Sequence, residues 1–163
     1  MNADAFRHLF AYHFGENRKM WDEYVGALSD QQFTQDVKYS HGSVRDQVVH
    51  LMNVDDAWFS QLRGVEIADS PDRAAPGDRE VIRAVWDGVE RSMREYLSGL
   101  RDDMLLGKPF VEGEDKDLIL WQVLVQVVNH GTDHRAQILR LLSDLGVKTV
   151  SQDYIFFAYD NPI

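Results

Sequence analysis

Val128-Asn129-His130-Gly131-Thr132-Asp133-His134-Arg135-Ala136-Gln137 places two histidines four residues apart, inside a longer segment that runs from about Leu118 to Leu145. Apolar residues recur through that segment at three- and four-residue steps, the pattern of a helix with one inward face. At a rise of about 1.5 Å per residue it would be roughly 40 Å long, and Gly146 is placed to end it. Residues four apart stack on one helical face about one turn from each other, so His130 and His134 can reach a common point. Gln126, four residues before His130, and Gln137, three after His134, extend a polar strip along an otherwise apolar helix.

Outward from this segment the chain repeats the helical pattern three more times. Residues 3 to 28 carry Phe6, Phe10, His13, Asn17, Met20, Trp21, Tyr24 and Leu28 at helical spacing, with Asn2 as a cap. Ser29 to Gln32 has the form of a capping box for a short turn, and Tyr39-Ser40-His41-Gly42 reads as loop. Ser43-Val44-Arg45-Asp46 opens a second long helix ending at Arg63-Gly64. Its inner face holds Gln47, Val48, Leu51, Val54 and Trp58, with His50 on the same stripe. Residues 64 to 77, with two glycines and two prolines, form a loop, and a third helix follows from Asp78 to about Gly99, lined by Val81, Val85, Trp86, Val89, Met93 and Leu97. A Gly- and Pro-containing connector covers about 102 to 117. The Trp and Phe stripes read as core. The tail Tyr154-Ile155-Phe156-Phe157-Ala158-Tyr159 is too apolar to stay in water and is expected to cover the bundle or a partner subunit. The fold class is all-α: a four-helix bundle with long connectors, in one domain spanning 1–163. Connectors of this length leave the topology open, because one of them has room to cross the bundle.

Composition narrows the function. A net charge of −10 without a basic stripe disfavours nucleic acid, and the acidity reads as a solvated surface. There is no cysteine, so any metal must be held by His, Asp or Glu, and neither a disulfide nor a protein thiol nucleophile is available. No run approaches the length of a membrane span and no signal-peptide pattern opens the chain, so a cytoplasmic location is expected. Phosphate-binding glycine loops, serine elbows and paired-carboxylate signatures are missing.

A histidine pair at four-residue spacing is by itself a weak signal for metal. It gains weight because His50, His130 and His134 all fall on core-facing stripes, where three imidazoles must each find a polar partner. One divalent ion supplies a common one. Three neutral imidazoles with a vacant position suit Zn²⁺ or Ni²⁺ best, and Fe²⁺ and Cu²⁺ are also compatible. The catalytic group would then be water or a thiol bound at the vacant position rather than a side chain. Asp46, one turn before His50, and Asp133, beside His134, are candidates to orient the imidazoles, although Asp133 reads more simply as an exposed charge. His13 and Asn17, one turn apart on the inner stripe of the first helix, either line the pocket or form a hydrogen-bonded core pair. His8 and His41 have no supporting spacing and read as surface residues.

Three segments carry a resemblance that spans nearly the whole chain: Ser43 to His50, Val128 to Gln137, and Asp153-Tyr154-Ile155-Phe156-Phe157. In these the sequence resembles the DinB-like (DinB/YfiT-like) family of bacterial metal-binding helical bundles. The resemblance implies a histidine triad mapping onto His50, His130 and His134, a long crossover in the bundle and a homodimer. It further implies a small-molecule substrate, with some relatives being bacillithiol- or mycothiol-dependent S-transferases or isomerases and others metal-dependent hydrolases. Two functions therefore stand side by side: a metalloenzyme that acidifies a low-molecular-weight thiol or water, and a non-catalytic metal-dependent ligand-binding or stress-response module.

Overall fold

The computed structural model describes residues 1–66 and 79–162, and every described regular element is helical. Helix α1 spans Ala3–Lys19, α2 Asp30–Thr34, α3 Val44–Arg63, α4 Arg79–Ser98, α5 Leu120–Asp144 and α6 Tyr154–Asp160. The caps read from sequence have direct counterparts in the backbone.

Asn2 accepts from the Ala5 amide at 2.9 Å, Ser29 and Gln32 form a reciprocal capping box, and Ser43 accepts from the Asp46 amide at 3.1 Å. Gly64 ends α3 in the left-handed conformation, φ 66°, which a side chain would oppose. The expected loop over 64 to 77 falls largely on residues 67–78, outside the described residues, as does Asp78 at the start of the third helix.

The first helix does not run regularly to Leu28 as its periodicity suggests. After Lys19 it widens into a π turn over Met20–Tyr24 and tightens into a 3-10 turn over Val25–Ala27. The wide turn shifts the phase of the following side chains. Met20, Trp21, Tyr24, Val25 and Leu28 are all buried, and Trp21 meets Phe33 and Trp86 edge to face. Not every aromatic or apolar position expected in the core is there: Trp121 is 40% exposed, Phe156 55% and Val81 41%. These lie at the margins of their stripes, where the apolar arc of the helix meets solvent.

Helix α3 packs most extensively on α5 and α4, and α1 packs on the same two helices. α1 and α3 therefore stand at opposite corners of the bundle, as do α4 and α5. It follows that two connectors, 20–43 and 99–119, cross from corner to corner, which answers the question the sequence left open. Crosswise links hold the corners: Arg7 donates to the carbonyls of Leu97 and Leu100 at the end of α4, at 2.9 and 3.0 Å, and Arg18 pairs with the buried Glu90. α6 covers one side of α1, where Tyr154 and Phe157 pack on Tyr12 and His8, while Ile155 and Tyr159 face outward.

Candidate metal centre

The largest helix interface, between α3 and α5, is where the predicted histidines meet. His50 comes from α3, His130 and His134 from α5. The ring centroids lie 4.3 Å apart for His130 and His134, 4.6 Å for His50 and His134, and 5.3 Å for His50 and His130. His130 and His50 are half-buried and His134 is buried. The Nδ1 atom of His130 is buried with no hydrogen-bond partner. A fourth ring joins them: His41, expected at the surface, is exposed but stacks on His50 with centroids 3.6 Å apart and planes 18° apart. Nitrogens of His41, His50 and His134 lie within 4.8 Å of one another. These three histidines can hold a metal ion, an all-imidazole donor set that fits a divalent transition metal; His130, expected as a ligand, stands outside that group of three, with its ring 4.3 Å from that of His134.

The group that orients His134 is Gln47. Its Oε1 lies 3.3 Å from His134 Nδ1, so the tautomer that donates from Nδ1 leaves Nε2 free as a ligand. Gln47 was expected only as part of the inner stripe; its fully buried amide and its place one turn from His50 are the signals that mark it. Asp46 does not serve this purpose. It accepts from Ser43 Oγ at 2.6 Å and from Arg45 at 3.0 Å, and so belongs to the start of α3. Asp133 is exposed, as its simpler reading held, and accepts from Gln137 at 3.1 Å. Gln126 is exposed as well. A four-residue step on a 3.6-residue helix advances the side chain by about 40°, and from the half-buried His130 that advance carries Gln126 into solvent. Replacing Gln47 with leucine is expected to weaken metal binding about 10- to 100-fold without lowering the thermal stability of the metal-free protein, measured by chelator competition and by calorimetry respectively.

Burial pushes both His134 and His130 below the ordinary imidazole value of 6.5. For His134 the neighbouring His130 and His41 add to the shift, and for His130 the carboxylates of Asp55 and Asp133 oppose it. Neutral rings are the form that binds metal. Because the folded-state values lie below the unfolded ones, the unfolded chain takes up more protons as pH falls. The stability of the metal-free protein is therefore fully present above about pH 6.5 and declines below it. Melting temperatures of the metal-free protein between pH 8 and pH 5 should show this decline, and it should be shallower in His130→Gln.

His13 and Asn17 are brought together, but in a buried network beneath the histidines rather than in an open pocket. His13, fully buried, places Nε2 2.9 Å from Asp55 Oδ2, while Arg135 Nη1 lies 3.1 Å from Nδ1. A guanidinium can only donate, so Nδ1 accepts and the Nε2–H donates to Asp55 Oδ2. The same Nη1 donates to Asn17 Oδ1 at 2.8 Å. Arg135 continues to Thr132 Oγ1 at 3.1 Å and Gln152 Oε1 at 2.9 Å. Asp55 and Arg135, each 1% exposed, are thus opposite charges joined through one imidazole. Sequence reading missed both. Each was visible as a charged residue interrupting an apolar stripe, Arg135 between Val128 and Ile138 and Asp55 between Leu51 and Phe59. His8, also expected at the surface, is half-buried against Tyr154 and Phe157.

Imidazoles from two packed helices converging at one point define a histidine-lined helical bundle able to hold a metal ion. The model of the DinB family matches residues 1–162, and the chain belongs to that family. Over 167 aligned residues it is 22% identical to Protein DinB of Bacillus subtilis (strain 168), covering 98% of this chain and 96% of that one. No described helix is long and apolar enough to cross a membrane.

Proposed function

We propose that the protein binds one divalent metal ion through His50, His130 and His134, Zn²⁺ or Ni²⁺ before Fe²⁺ or Cu²⁺, and uses it as a metalloenzyme of the thiol S-transferase or hydrolase type. The observation that carries this reading is the convergence of the three rings across the α3–α5 interface, with Gln47 holding His134 from behind. A divalent ion so held supplies Lewis acidity, which lowers the pKa of a coordinated water or thiol. The chain's own residues do the rest. Gln47 fixes the tautomer of His134, and the buried Asp55–His13–Arg135 array fixes the helix that bears two of the ligands.

None of the four histidines lines the cleft nearest the turn that carries His41. That cleft, of about 370 Å³, is walled by Val37, Tyr39, Val44 and Leu141, with Lys38 and Arg140 at its edge. Its wall is the same segment that delivers His41. Arg140 is paired with Asp144, which also lines the cleft, so its walls are apolar with charges of both signs. Purified, metal-loaded protein supplied with bacillithiol or mycothiol and a haloaromatic electrophile tests the transferase reading, with His130→Ala as control. Turnover that requires His130 supports it, and no turnover across a broad panel of electrophiles and thiols defeats it. The position of His41 over His50 favours a second reading, a non-catalytic metal-dependent ligand-binding or stress-response module, because a fourth protein ligand closes a metal site.

A further inference from the structure

We infer that His41 is a fourth, displaceable ligand of the same ion, carried on a turn that closes the site at rest and yields its place to an incoming small molecule. The inference rests on the metal reading of His50, His130 and His134 and adds to it. Its basis is the turn Tyr39–Gly42, closed by the Gly42 amide bonding to the Tyr39 carbonyl at 2.9 Å. Ser40 adopts φ 48° and Gly42 φ 90°, both in the left-handed region. A serine in that region is uncommon and costs free energy, so the turn is held by its surroundings. One constraint is visible at Gly42, where a Cβ would stand 3.2 Å from Asp36 Oδ1 and 3.5 Å from Asp46 Oδ2. The outcome of this backbone is that the ring of His41, though exposed, stacks on His50.

The distances suit shared ligation. One ring nitrogen from each of His41, His50 and His134 lies within 4.8 Å of the other two, within reach of one ion. His41 also approaches His134, with centroids 5.3 Å apart. His130 stands outside that group of three, but its ring lies 4.3 Å from that of His134, so three helix-borne histidines would leave a tetrahedral ion one vacant position, with His41 the additional donor at hand. Its anchorage differs from theirs. The other three sit on long, packed helices, whereas His41 is exposed on a turn of a connector, so breaking its bond to the ion disturbs no core packing. Exchange is a ligand substitution without redox change: the His41 nitrogen leaves with its electron pair as a thiolate or water donor bonds.

Full-length protein loaded with Co²⁺ tests this, with 2-mercaptoethanol as the probe and Zn²⁺ affinity measured by competition with a chromophoric chelator. In wild type the visible absorption should be the intense pattern of four-coordinate Co²⁺, and thiol should add a sulfur-to-cobalt charge-transfer band. In His41→Ala the absorption should weaken toward that of a solvated, higher-coordinate ion, Zn²⁺ affinity should fall on the order of tenfold or more, and thiol should bind at lower concentration because no side chain competes. Identical spectra and Zn²⁺ affinity in wild type and His41→Ala would overturn the inference while leaving the three-histidine site standing, provided His134→Ala abolishes binding. A wild type that binds no Co²⁺ or Zn²⁺ would overturn both. A Co²⁺ spectrum that thiol leaves unchanged in wild type but alters in His41→Ala would overturn displaceability. His41 lies outside the core, and equal melting temperatures of the metal-free forms would confirm that the variant folds.

Discussion

Replacing His134 with alanine is expected to reduce bound metal from near one ion per chain to a small fraction after dialysis. His134 is the most buried of the three proposed ligands, at 7% exposure, and its ring is the one braced by Gln47. Losing it removes the buried donor that the rings of His41, His50 and His130 all approach, so affinity should fall on the order of a hundredfold or more. Metal analysis of purified wild type, His134→Ala and His50→Ala reads this directly, with His8→Ala as a variant that should keep its ion. Equal content in all four would defeat the shared site. The melting temperature gives an independent reading. A bound ion stabilises the folded state by mass action, so the wild type should melt higher as Zn²⁺ is added and His134→Ala should not respond.

Gly131→Ala is expected to cost about 3 kcal/mol or more, lowering the melting temperature by roughly 6–12 °C for a chain of this size. A Cβ at Gly131 would stand 2.3 Å from His13 Cε1, 2.6 Å from Nδ1 and 3.1 Å from Arg135 Nη1. No flexible chain end is available to give way, because the imidazole is fixed on both sides by Asp55 and Arg135. Either α1 and α5 separate, or His13 turns and leaves two buried charges without their bridge. Calorimetry of the variant measures the loss. The cause is isolated by the double variant Gly131→Ala/His13→Ala, which should be markedly less destabilised than the sum of the two singles, since the clash vanishes with the ring. Additive losses would count against it.

The parts of this molecule that were legible in sequence are those governed by local rules. A histidine pair four apart must share a helical face, and a serine three residues before a carboxylate at the head of an apolar stripe has few uses other than a cap. For that reason α3, α5 and the shared face of His130 and His134 follow from spacing, and His50 follows only as far as its place on an inner stripe. What spacing could not supply is anything settled between distant segments. Asp55 finds His13 across 42 residues, and the choice between pocket and core for His13 depended on that partner. His41 was hidden for a different reason. It sits in a turn, where no periodicity points a side chain, and its direction comes from two left-handed residues that a sequence only partly advertises. The π turn after Lys19 went unseen because Met20, Trp21, Tyr24 and Leu28, which fit a regular helix, are buried in the wide turn as well, and Val25 alone marks the shifted phase.

The buried array beneath the histidines also bears on how the molecule assembles in time. Its bonds join His13 to Arg135 across 122 residues and Tyr12 to the carbonyl of Gln152 across 140, whereas the helices themselves are built from neighbours. Loop closures of that span come late, after helices and their nearest packing have formed. Interactions absent from the transition state slow unfolding rather than speed folding. The array is therefore expected to act as a latch, so that Asp55→Asn speeds unfolding more than it slows folding in stopped-flow measurements.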